Sequence, residues 1–334
     1  MDQRPDNRAD IRDFLADRRA RITPEQAGLP TSGRRRVPGL RREEVAVLAG
    51  VSTEWYTRLE KGHINGVSED VLDAVARALR LDEDERIYLF DLARAAQPAG
   101  RTPRRRKAVD VPPRVRWLLD SITLSAAFVT NGRLDIVATN ALARALFSPV
   151  FDSPTADERR LPNFARYYFL DPGSHHFVAD WDQAVALTAA LLRAEAGRYP
   201  HDKALRELIG ELSTLSTDFR TQWAVHDVRI HHSGVKTFHH PDAGPLELTY
   251  QPLDLPLSPR EAHSLTLYTA EPGTPAEDRL KLLASLAATP TPTHTHTRTP
   301  APTASPSTQS SPAAHTGHTG HKAQTAADPG PPVD

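Results

Sequence analysis

The chain has 334 residues, of which 39% are hydrophobic and 25% are charged, and its formal net charge is −1. It contains no cysteine, which excludes disulfides, iron–sulfur clusters, cysteine-ligated zinc sites and thiol nucleophiles. No run of 18 apolar residues is present and the charged N-terminus lacks the apolar core of a signal peptide, so we expect a soluble, cytoplasmic protein without membrane insertion.

The near-neutral total conceals a polarised first hundred residues. Residues 31–61 contain seven Lys and Arg against four Asp and Glu, whereas residues 62–91 contain three against eight. The first of these stretches includes Arg34, Arg35 and Arg36, and a second basic run follows at Arg104, Arg105, Arg106 and Lys107. Local charge therefore favours an anionic partner for this part of the chain, although the net charge alone argues against one.

Residues 8–95 predict five helices and no strand, because apolar residues recur at helical spacing between capping signals. The second helix is expected over 41–49, with Val45, Leu48 and Ala49 on one face, and the third over 53–61. Ser68 is expected to cap the fourth helix. Residues 96–113 are rich in proline and basic side chains, which is typical of a linker.

The most specific motif is EEVAVLAGVSTEWYTRLEKG at 43–62. Two helices joined by a tight glycine turn form a helix-turn-helix, and Gly50 supplies that turn. Ala46 is small where the helices would cross, and Val45, Tyr56 and Leu59 can fill their shared core. The third helix would then present its outward side chains to DNA bases in the major groove: Thr53, Glu54, Thr57 and Arg58. The competing interpretation is an αα-hairpin with a solvated charged face.

This stretch resembles the Xre/lambda-repressor-like helix-turn-helix family over roughly residues 8–95. The resemblance implies DNA-phosphate contacts from residues that flank the two helices of the motif, namely Arg41, Arg42, Ser52 and Lys61. It also implies that Glu60 pairs with an arginine of the first helix, either Arg18 or Arg19. The join at 23–40 is longer than is usual in that family and is rich in arginine.

After residue 113 the pattern changes to helices mixed with strands. Residues 128–137 predict a hairpin around Asn131-Gly132, since Asn-Gly is a strong two-residue turn signal. Helices are expected over 141–147, 176–196, 202–220 and 275–287, and strands near 222–232, 235–240, 246–252 and 263–270. The helix at 202–220 carries one apolar stripe of Leu205, Leu208, Ile209, Leu212, Leu215 and Phe219. These elements predict an α+β domain with an antiparallel sheet.

A sheet with helices across one face makes a natural apolar cavity. Its candidate wall residues are Phe128, Val129, Ile136, Phe147, Phe164, Tyr167, Tyr168 and Trp223. Asn163, Arg166 and His226 are the nearby polar residues that could hold a carboxylate. Plain core packing is the competing interpretation for the aromatic residues, and a structural ion pair is the competing one for Arg166.

Clustered histidines raise the alternative of a metal-dependent, cupin-like enzyme domain tethered to a DNA-binding module. The residues concerned are His226, His231, His232, His239 and His240, with Asp227 or Asp242. Adjacent strand residues point to opposite faces, however, so each histidine pair would be split across the sheet. We therefore predict no metal, no cofactor and no catalytic residue. A helical protein-interaction module is the other alternative.

The whole arrangement resembles the MmyB-like actinobacterial regulators, on the motifs above together with LPNFARYYFLDP at 161–172 and GVKTFHHPDAGPLELTYQPL at 234–253. The resemblance implies a transcriptional regulator whose PAS-like second domain binds a small lipophilic ligand of the fatty-acid type. Many relatives carry Trp-Asn where this chain has Thr139-Asn140. Because one helix-turn-helix reads few base pairs, we expect a homodimer on a two-fold symmetric double-stranded operator.

Four regions follow from these observations. We predict an all-α helix-turn-helix domain at 1–95, the basic linker at 96–113, the α+β PAS-like domain at 114–288 and a disordered tail at 289–334. The tail contains nine prolines and eleven threonines, and Val333 is its only large aliphatic side chain. Such a composition cannot bury enough apolar surface to offset the entropy lost on ordering.

Overall fold

The computed structural model describes residues 8–30, 35, 37–96, 111–156, 160–225, 227, 233–257 and 262–288. The predicted tail, most of the predicted linker, Arg34, Arg36, the basic run at 104–107, His226, His231 and His232 lie outside the described residues. Among the residues that are described, no helix has the length and apolar character needed to cross a bilayer.

The N-terminal part is all-helical, as predicted. Its helices are α1 (Arg8–Arg21), α2 (Arg42–Ala49), α3 (Thr53–Glu60), α4 (Glu69–Ala78) and α5 (Glu83–Ala95). Their shared core includes Ile11, Phe14, Leu15, Val45, Tyr56, Leu59, Leu72, Val75 and Leu89. Two details of the prediction were wrong. Leu48 lies on the exposed side of α2, because the buried side is formed by Val45, Ala46 and Ala49 and residue 48 points away from Ala46. Ser68 precedes α4, but its side chain makes no capping hydrogen bond.

The second part combines nine described helices with one five-stranded sheet. The helices are α6 (Pro113–Ser121), α7 (Ala141–Leu146), α8 (Ser148–Phe151), α9 (Phe164–Leu170), α10 (Ser174–Phe177), α11 (Trp181–Arg198), α12 (Lys203–Leu215), α13 (Thr217–Ala224) and α14 (Pro275–Ala288). The strands are β1 (Ala126–Asn131), β2 (Ile136–Thr139), β3 (Gly234–His240), β4 (Gly244–Asp254) and β5 (His263–Thr269). They pair in the order β2-β1-β5-β4-β3, antiparallel throughout. The predicted α+β class with an antiparallel sheet is confirmed.

The β1–β2 hairpin is present, but its turn is longer than the two-residue Asn-Gly turn that we predicted. Leu134 donates its backbone N–H to Asn131 O at 2.9 Å, and Leu134 itself has a positive φ of 64°. This is a β-turn followed by a left-handed residue. Asn131 favours it, because its side-chain oxygen accepts the backbone N–H groups of Arg133 and Asp135 at 3.0 and 3.1 Å.

The helix expected over 202–220 is two helices, α12 and α13. They meet at Ser216, whose extended backbone ends α12 and whose hydroxyl accepts the Phe219 N–H at 3.1 Å, capping α13. The apolar stripe therefore breaks, and Leu215 at its predicted position is exposed. The strand expected near 222–232 is also wrong in its described part, since α13 continues to Ala224.

The two faces of the sheet are covered differently. The face that we call the inner face carries Phe128, Phe238, Leu246, Leu248 and Tyr268, and helices α7, α9, α11 and α14 pack over it. The outer face carries Ala127, Val129 and Leu265, which pack against Val115 and Leu119 of α6. Val129 is therefore not a wall residue of an inner cavity, because strand alternation places it on the opposite face from Phe128. The sequence patterns had not predicted α6.

Candidate recognition helix and candidate ligand-binding face

Local hydrogen bonds fix the α2–α3 hairpin. Gly50 adopts a left-handed conformation with φ of 67°, and Val51 N–H bonds Ala46 O at 2.9 Å, so α2 ends in a tight glycine turn. Ser52 then caps α3, because its hydroxyl accepts the Trp55 N–H at 3.1 Å. Tyr56 and Leu59 are buried against α2. The orientation of α3 therefore follows directly from its own sequence.

The opposite side of α3 faces solvent. Thr53, Glu54 and Arg58 are exposed and Thr57 is half-buried, so the four residues predicted to read bases share the N-terminal, outward side of the helix. Among the residues predicted to touch phosphates, Arg41, Ser52 and Lys61 are exposed near this side. Arg41 also forms an ion pair with Glu43 at 3.3 Å. These positions are those of a recognition helix and its flanks.

Glu60 at the end of α3 forms a buried ion-pair network. Its carboxylate accepts from Arg19 Nε and Nη2 at 2.9 and 3.0 Å and from Arg42 Nε and Nη2 at 3.1 and 2.9 Å. Burial alone would raise the pKa of Glu60, but the hydrogen bonds from both arginines outweigh it and hold that pKa below its ordinary value. The first-helix partner of Glu60 is thus Arg19, while Arg18 pairs with Glu85 at 3.0 Å. Arg42 uses two of its three guanidinium nitrogens within the protein.

Arg35 is held in a second pair within the unusually long join. Its Nη1 and Nη2 each lie 2.7 Å from a carboxylate oxygen of Glu44, and Nη2 also donates to Gly39 O at 3.1 Å. The Arg41 backbone N–H donates to Glu44 at 2.7 Å. The hydrogen bond from Arg35, supported by that from Arg41, lowers the pKa of Glu44 to about 2. Arg35 therefore anchors the join to α2.

Aromatic rings fill the inner face of the second part. Phe147 lies at the centre, with its ring 5.3 Å from Phe128, 5.4 Å from Phe164 and 5.5 Å from Phe238. Tyr167, Tyr168 and Phe177 extend this cluster. The predicted lining residues Phe128, Phe147, Phe164 and Tyr167 are thus brought together. Trp223 packs at the margin of the cluster, half-buried and stacked on Phe219 at 5.3 Å.

Asn163 and Arg166, the two described residues among those predicted to hold a carboxylate, already have partners. Asn163 Nδ2 donates to Arg133 O and Asp135 Oδ1, both at 2.8 Å, and its Oδ1 accepts the Arg166 N–H at 2.9 Å. Arg166 donates from Nε and Nη2 to Glu211 Oε2 at 3.0 and 2.9 Å. These contacts join α9 to the β1–β2 hairpin and to α12, so they account for both residues without a ligand.

The histidines within the described residues do not form a metal cluster. His239 is exposed, whereas His240 is buried, with Nε2 3.0 Å from Ala145 O and Nδ1 accepting the Asp242 and Ala243 N–H groups. His240 thus stabilises the β3–β4 turn against α7. In the part of the chain that the structure describes, no group of three or more potential metal-binding side chains occurs.

The helical part and the sheet-containing part meet along α5 and α11. Gly197 lies against the ring of Tyr88, and a Cβ at this position would collide with that ring. Arg198 Nε donates to Asp91 at 2.9 Å. Arg193 is buried, interacts with Tyr88, donates to Trp223 O and lies over the Trp223 ring at 4.2 Å. Apart from Trp223, which was predicted as a cavity residue, none of these residues was predicted from the sequence. The contacts of α5 with α11 join segments about 100 residues apart, and the contact of Arg193 with Trp223 joins two helices of the second part.

The segment after α13 also reaches the helical part. Arg21 of α1 donates from Nη2 to Val225 O at 2.9 Å, and Arg18 lies 3.8 Å from Asp227. A surface pocket of about 640 Å³ lies at the contact of α5 with the end of α11 and is lined in part by Arg86, Phe90, Arg94 and Tyr199. Arg86 is paired with Asp73 and Arg94 with Asp91, so the charge of these arginines is compensated within the protein.

Two family models match the chain. One, described as the MmyB-like transcription regulator ligand binding domain, matches residues 111–283, which is more than half of the chain. The other, described as a helix-turn-helix domain, matches residues 11–89 and contains the α2–α3 hairpin. No curated protein matches the chain. The resemblance inferred from the sequence motifs is confirmed by these matches.

Proposed function

The chain belongs to the MmyB-like transcription regulators, and from that premise we propose that it is a homodimer that binds a two-fold symmetric operator and senses a fatty-acid-type ligand in a PAS-like domain. In general terms, the protein is a DNA-binding regulator that senses a ligand. The observation that carries the proposal is the exposed side of α3, directed outward by a hairpin that buries the other side.

Base reading is assigned to Thr53, Glu54, Thr57 and Arg58. An arginine in the major groove pairs with guanine through two hydrogen bonds, a glutamate accepts from cytosine, and a threonine methyl contacts thymine. Arg58 contributes the largest part of the base discrimination, because it is exposed and has no ion-pair partner among the described residues. Arg41, Ser52 and Lys61 are assigned to phosphates, which position the protein without reading sequence. Arg42 contributes less than we expected, because its guanidinium is engaged with Glu60.

The second part supports a sensor that is PAS-like in architecture. A five-stranded antiparallel sheet packs one aromatic face against helices, and helix α11 belongs to both functional halves of the chain. Ala184, Val185 and Leu192 of α11 pack into the aromatic cluster, whereas Ala194, Gly197 and Arg198 contact the helical part. A ligand that shifts α11 changes the position of α5. It can alter DNA affinity only to the extent that it binds one arrangement better than the other.

The homodimer is proposed to use the exposed side of α6. Trp117 of α6 is 70% exposed and Leu118 is next to it in the sequence, and Leu124, which follows the end of α6, is 72% exposed. Apolar side chains grouped in this way mark an interaction surface. Arg114 lies near the start of α6 and Asp120 near its end, so two antiparallel copies would place opposite charges at the same level along the helices. A self-complementary patch of this kind suits a two-fold contact.

DNA reading is tested with Arg58→Ala and Arg41→Ala, after selection of a preferred duplex by the full-length protein. We expect Arg58→Ala to cost about 1–3 kcal/mol on the selected duplex and to relax specificity at one base pair. Arg41→Ala should weaken selected and scrambled duplexes alike and reduce the slope of log affinity against log salt by about one. Equal weakening of both duplexes by Arg58→Ala would remove its base-reading role.

The ligand is tested by organic extraction of the purified full-length protein and mass spectrometry of the extract. A near-stoichiometric long-chain carboxylic acid supports the proposed ligand class. A different small molecule at that stoichiometry would replace the proposed ligand class.

Sedimentation of the wild type and of Trp117→Glu tests the dimer in the same preparation. A wild type that is monomeric at all concentrations would exclude the dimer.

A further inference from the structure

One charged side chain on the inner face of the sheet has no counter-ion among the residues that the structure describes. Residues 234, 236, 238 and 240 of β3 share a face because side chains alternate along a strand. Phe238 is buried in the aromatic cluster, so Lys236, which pairs in register with Leu248, lies on the same helix-covered face. Its Nζ lies 5.2 Å from the centre of the Tyr250 ring.

Lys236 forms no ion pair with any of the residues that the structure describes. Every other perturbed basic side chain named above has a carboxylate or a backbone oxygen as its partner, whereas the partner of Lys236 within the described part of the chain is the face of an aromatic ring. Burial is the sole cause that lowers the pKa of Lys236, to about 8. The sequence before β3, VRIHHS at 228–233, contains no Asp or Glu that would supply a carboxylate.

The inner face also carries neutral hydrogen-bonding groups among its apolar side chains, and one of them, Tyr250, contacts Lys236. The Tyr250 ring lies 5.7 Å from that of Tyr268. Burial, together with the neighbouring phenols of Tyr168 and Tyr250, holds the pKa of Tyr268 well above its ordinary value, so its phenol stays protonated. Thr266, opposite Phe128 on β5, and Tyr167 each have a buried hydroxyl without a hydrogen-bond partner among the described residues. The face therefore combines one uncompensated positive charge, several hydroxyl groups and extensive aromatic surface.

We propose that the Lys236 ammonium binds the carboxylate of a long-chain monocarboxylic acid, whose hydrocarbon part lies against the aromatic side chains of the inner face. The assignment rests on the proposed lipophilic ligand and adds the residue that selects an acid over a neutral lipid. One unpaired positive charge matches one carboxylate. Binding would supply the counter-ion that a desolvated ammonium lacks. A hydrogen bond between an ammonium and a carboxylate stabilises a complex more when it is shielded from water than when it lies at the surface.

The location also suggests how binding is transmitted. Asp227, which lies near Arg18 of α1, precedes the start of β3 by only seven residues. A ligand held at Lys236 is therefore close along the chain to a segment that contacts the DNA-binding part. The sequence predicted Asn163 and Arg166 as carboxylate-binding residues. They lie on α9 and its cap, and their side chains already form hydrogen bonds with Asp135 and Glu211.

The competing explanation is that Lys236 prevents the edge of the sheet from pairing with another chain. Strand β3 is at the edge of the sheet, and inward-pointing charged residues on edge strands discourage pairing with other chains. In that case, replacing Lys236 would change aggregation and leave ligand affinity unaltered. The two explanations are therefore distinguished by measuring affinity for an acid and for an uncharged analogue of equal length.

The experiment uses delipidated full-length protein and titrates dodecanoate and 1-dodecanol by calorimetry. For Lys236→Met we expect a loss of roughly tenfold or more in dodecanoate affinity and little change for dodecanol, since a charge-assisted hydrogen bond is removed and the side-chain length is kept. Lys236→Arg should retain the preference for the acid. Lys203→Met, at an exposed lysine of α12 that pairs only with Glu207, is the matched control and should bind both probes as wild type does.

Each remaining outcome is decisive. If wild type binds both probes and Lys236→Met retains full dodecanoate affinity, the Lys236 assignment is wrong while the lipophilic ligand stands. If wild type binds neither probe, the proposed ligand class fails and the assignment fails with it. Folding is checked by thermal unfolding, and removal of an unpaired, desolvated charge should leave the midpoint of Lys236→Met equal or higher. If Lys236→Met does not fold, a loss of the acid preference in Lys236→Gln decides for the assignment and its retention decides against it.

Discussion

Glu60 in the helix-turn-helix is buried and Lys236 in the sheet is half-buried, and these two ionisable side chains differ in what surrounds them. Four hydrogen bonds from Arg19 and Arg42 compensate Glu60. Lys236 has an aromatic ring and no carboxylate among the described residues. Removing a partner from a buried ion pair is costly, so the first arrangement ties α3 to α1 and α2. A desolvated charge without a partner contributes nothing comparable to the fold, which is why we assign the second arrangement to binding.

The largest effect is expected when the charge of Glu60 loses one of the two arginines that compensate it. Arg19→Ala removes two hydrogen bonds to a carboxylate that is 2% exposed, and it removes the bond from Arg19 Nη1 to Leu40 O at 2.8 Å. We expect the free energy of unfolding to fall by about 3 kcal/mol, measured by urea denaturation with circular dichroism. Arg12→Ala, which affects only an exposed pair with Asp13, is the control and should change stability by less than about 0.5 kcal/mol. Equal urea midpoints for the two variants would contradict a structural role for the Glu60 network.

The next prediction concerns the contact between α5 and α11, through which we propose that the two regions communicate. In Gly197→Ala the added methyl group meets the Tyr88 ring, so α5 and α11 must separate, at an expected cost of about 2 kcal/mol. Gly210→Ala is the matched control, since nothing lies within 4 Å of the added carbon on α12. That control should stabilise the protein by about 0.5–1 kcal/mol, because alanine favours a helix over glycine.

The same two variants also test whether the contact between α5 and α11 transmits ligand binding to DNA affinity. Gly197→Ala should weaken the effect of bound ligand on DNA affinity, whereas Gly210→Ala should retain it. Should Gly197→Ala prove as stable and as responsive as Gly210→Ala, the α5–α11 contact would not be the route between the two regions.

The smallest expected effect is a pH dependence at Glu44, which resembles Glu60 in being paired but is closer to the surface. The folded pKa of Glu44, about 2, is below its ordinary value of 4.5 because Arg35 and the Arg41 N–H bind the carboxylate. A lowered folded pKa stabilises the fold above about pH 4.5, and this contribution is lost as the pH falls from there toward 2. Wild type should therefore exceed Glu44→Gln by about 1 kcal/mol at pH 7 and by progressively less below pH 4.5. A constant difference across that range would exclude the Arg35–Glu44 pair as its cause.

Where sequence-based prediction failed, it missed either a side-chain hydrogen bond to a nearby backbone N–H or an ion pair between remote segments. The helix expected over 202–220 divides at Ser216, whose capping hydrogen bond restarts the chain as α13 and removes part of the strand expected near 222–232. The Asn-Gly turn lengthens because the Asn131 side chain binds two later N–H groups. For Arg166 the sequence left a ligand contact and a structural ion pair as alternatives, and the structure shows the ion pair, with Glu211, 45 residues away.

The amino-acid sequence by itself determined the helix-turn-helix and the side of α3 that faces outward. Helical periodicity, the Gly50 turn and the Ser52 cap act within a few residues of each other, so they can be recognised without knowing the rest of the fold. Only the tertiary structure decided which charges are compensated. Glu60 is neutralised by arginines 18 and 41 residues away, and Lys236 is isolated because the chain brings no carboxylate to its end of the inner face within the described residues. Charge compensation depends on distances between remote segments, and those distances exist only once the chain is folded.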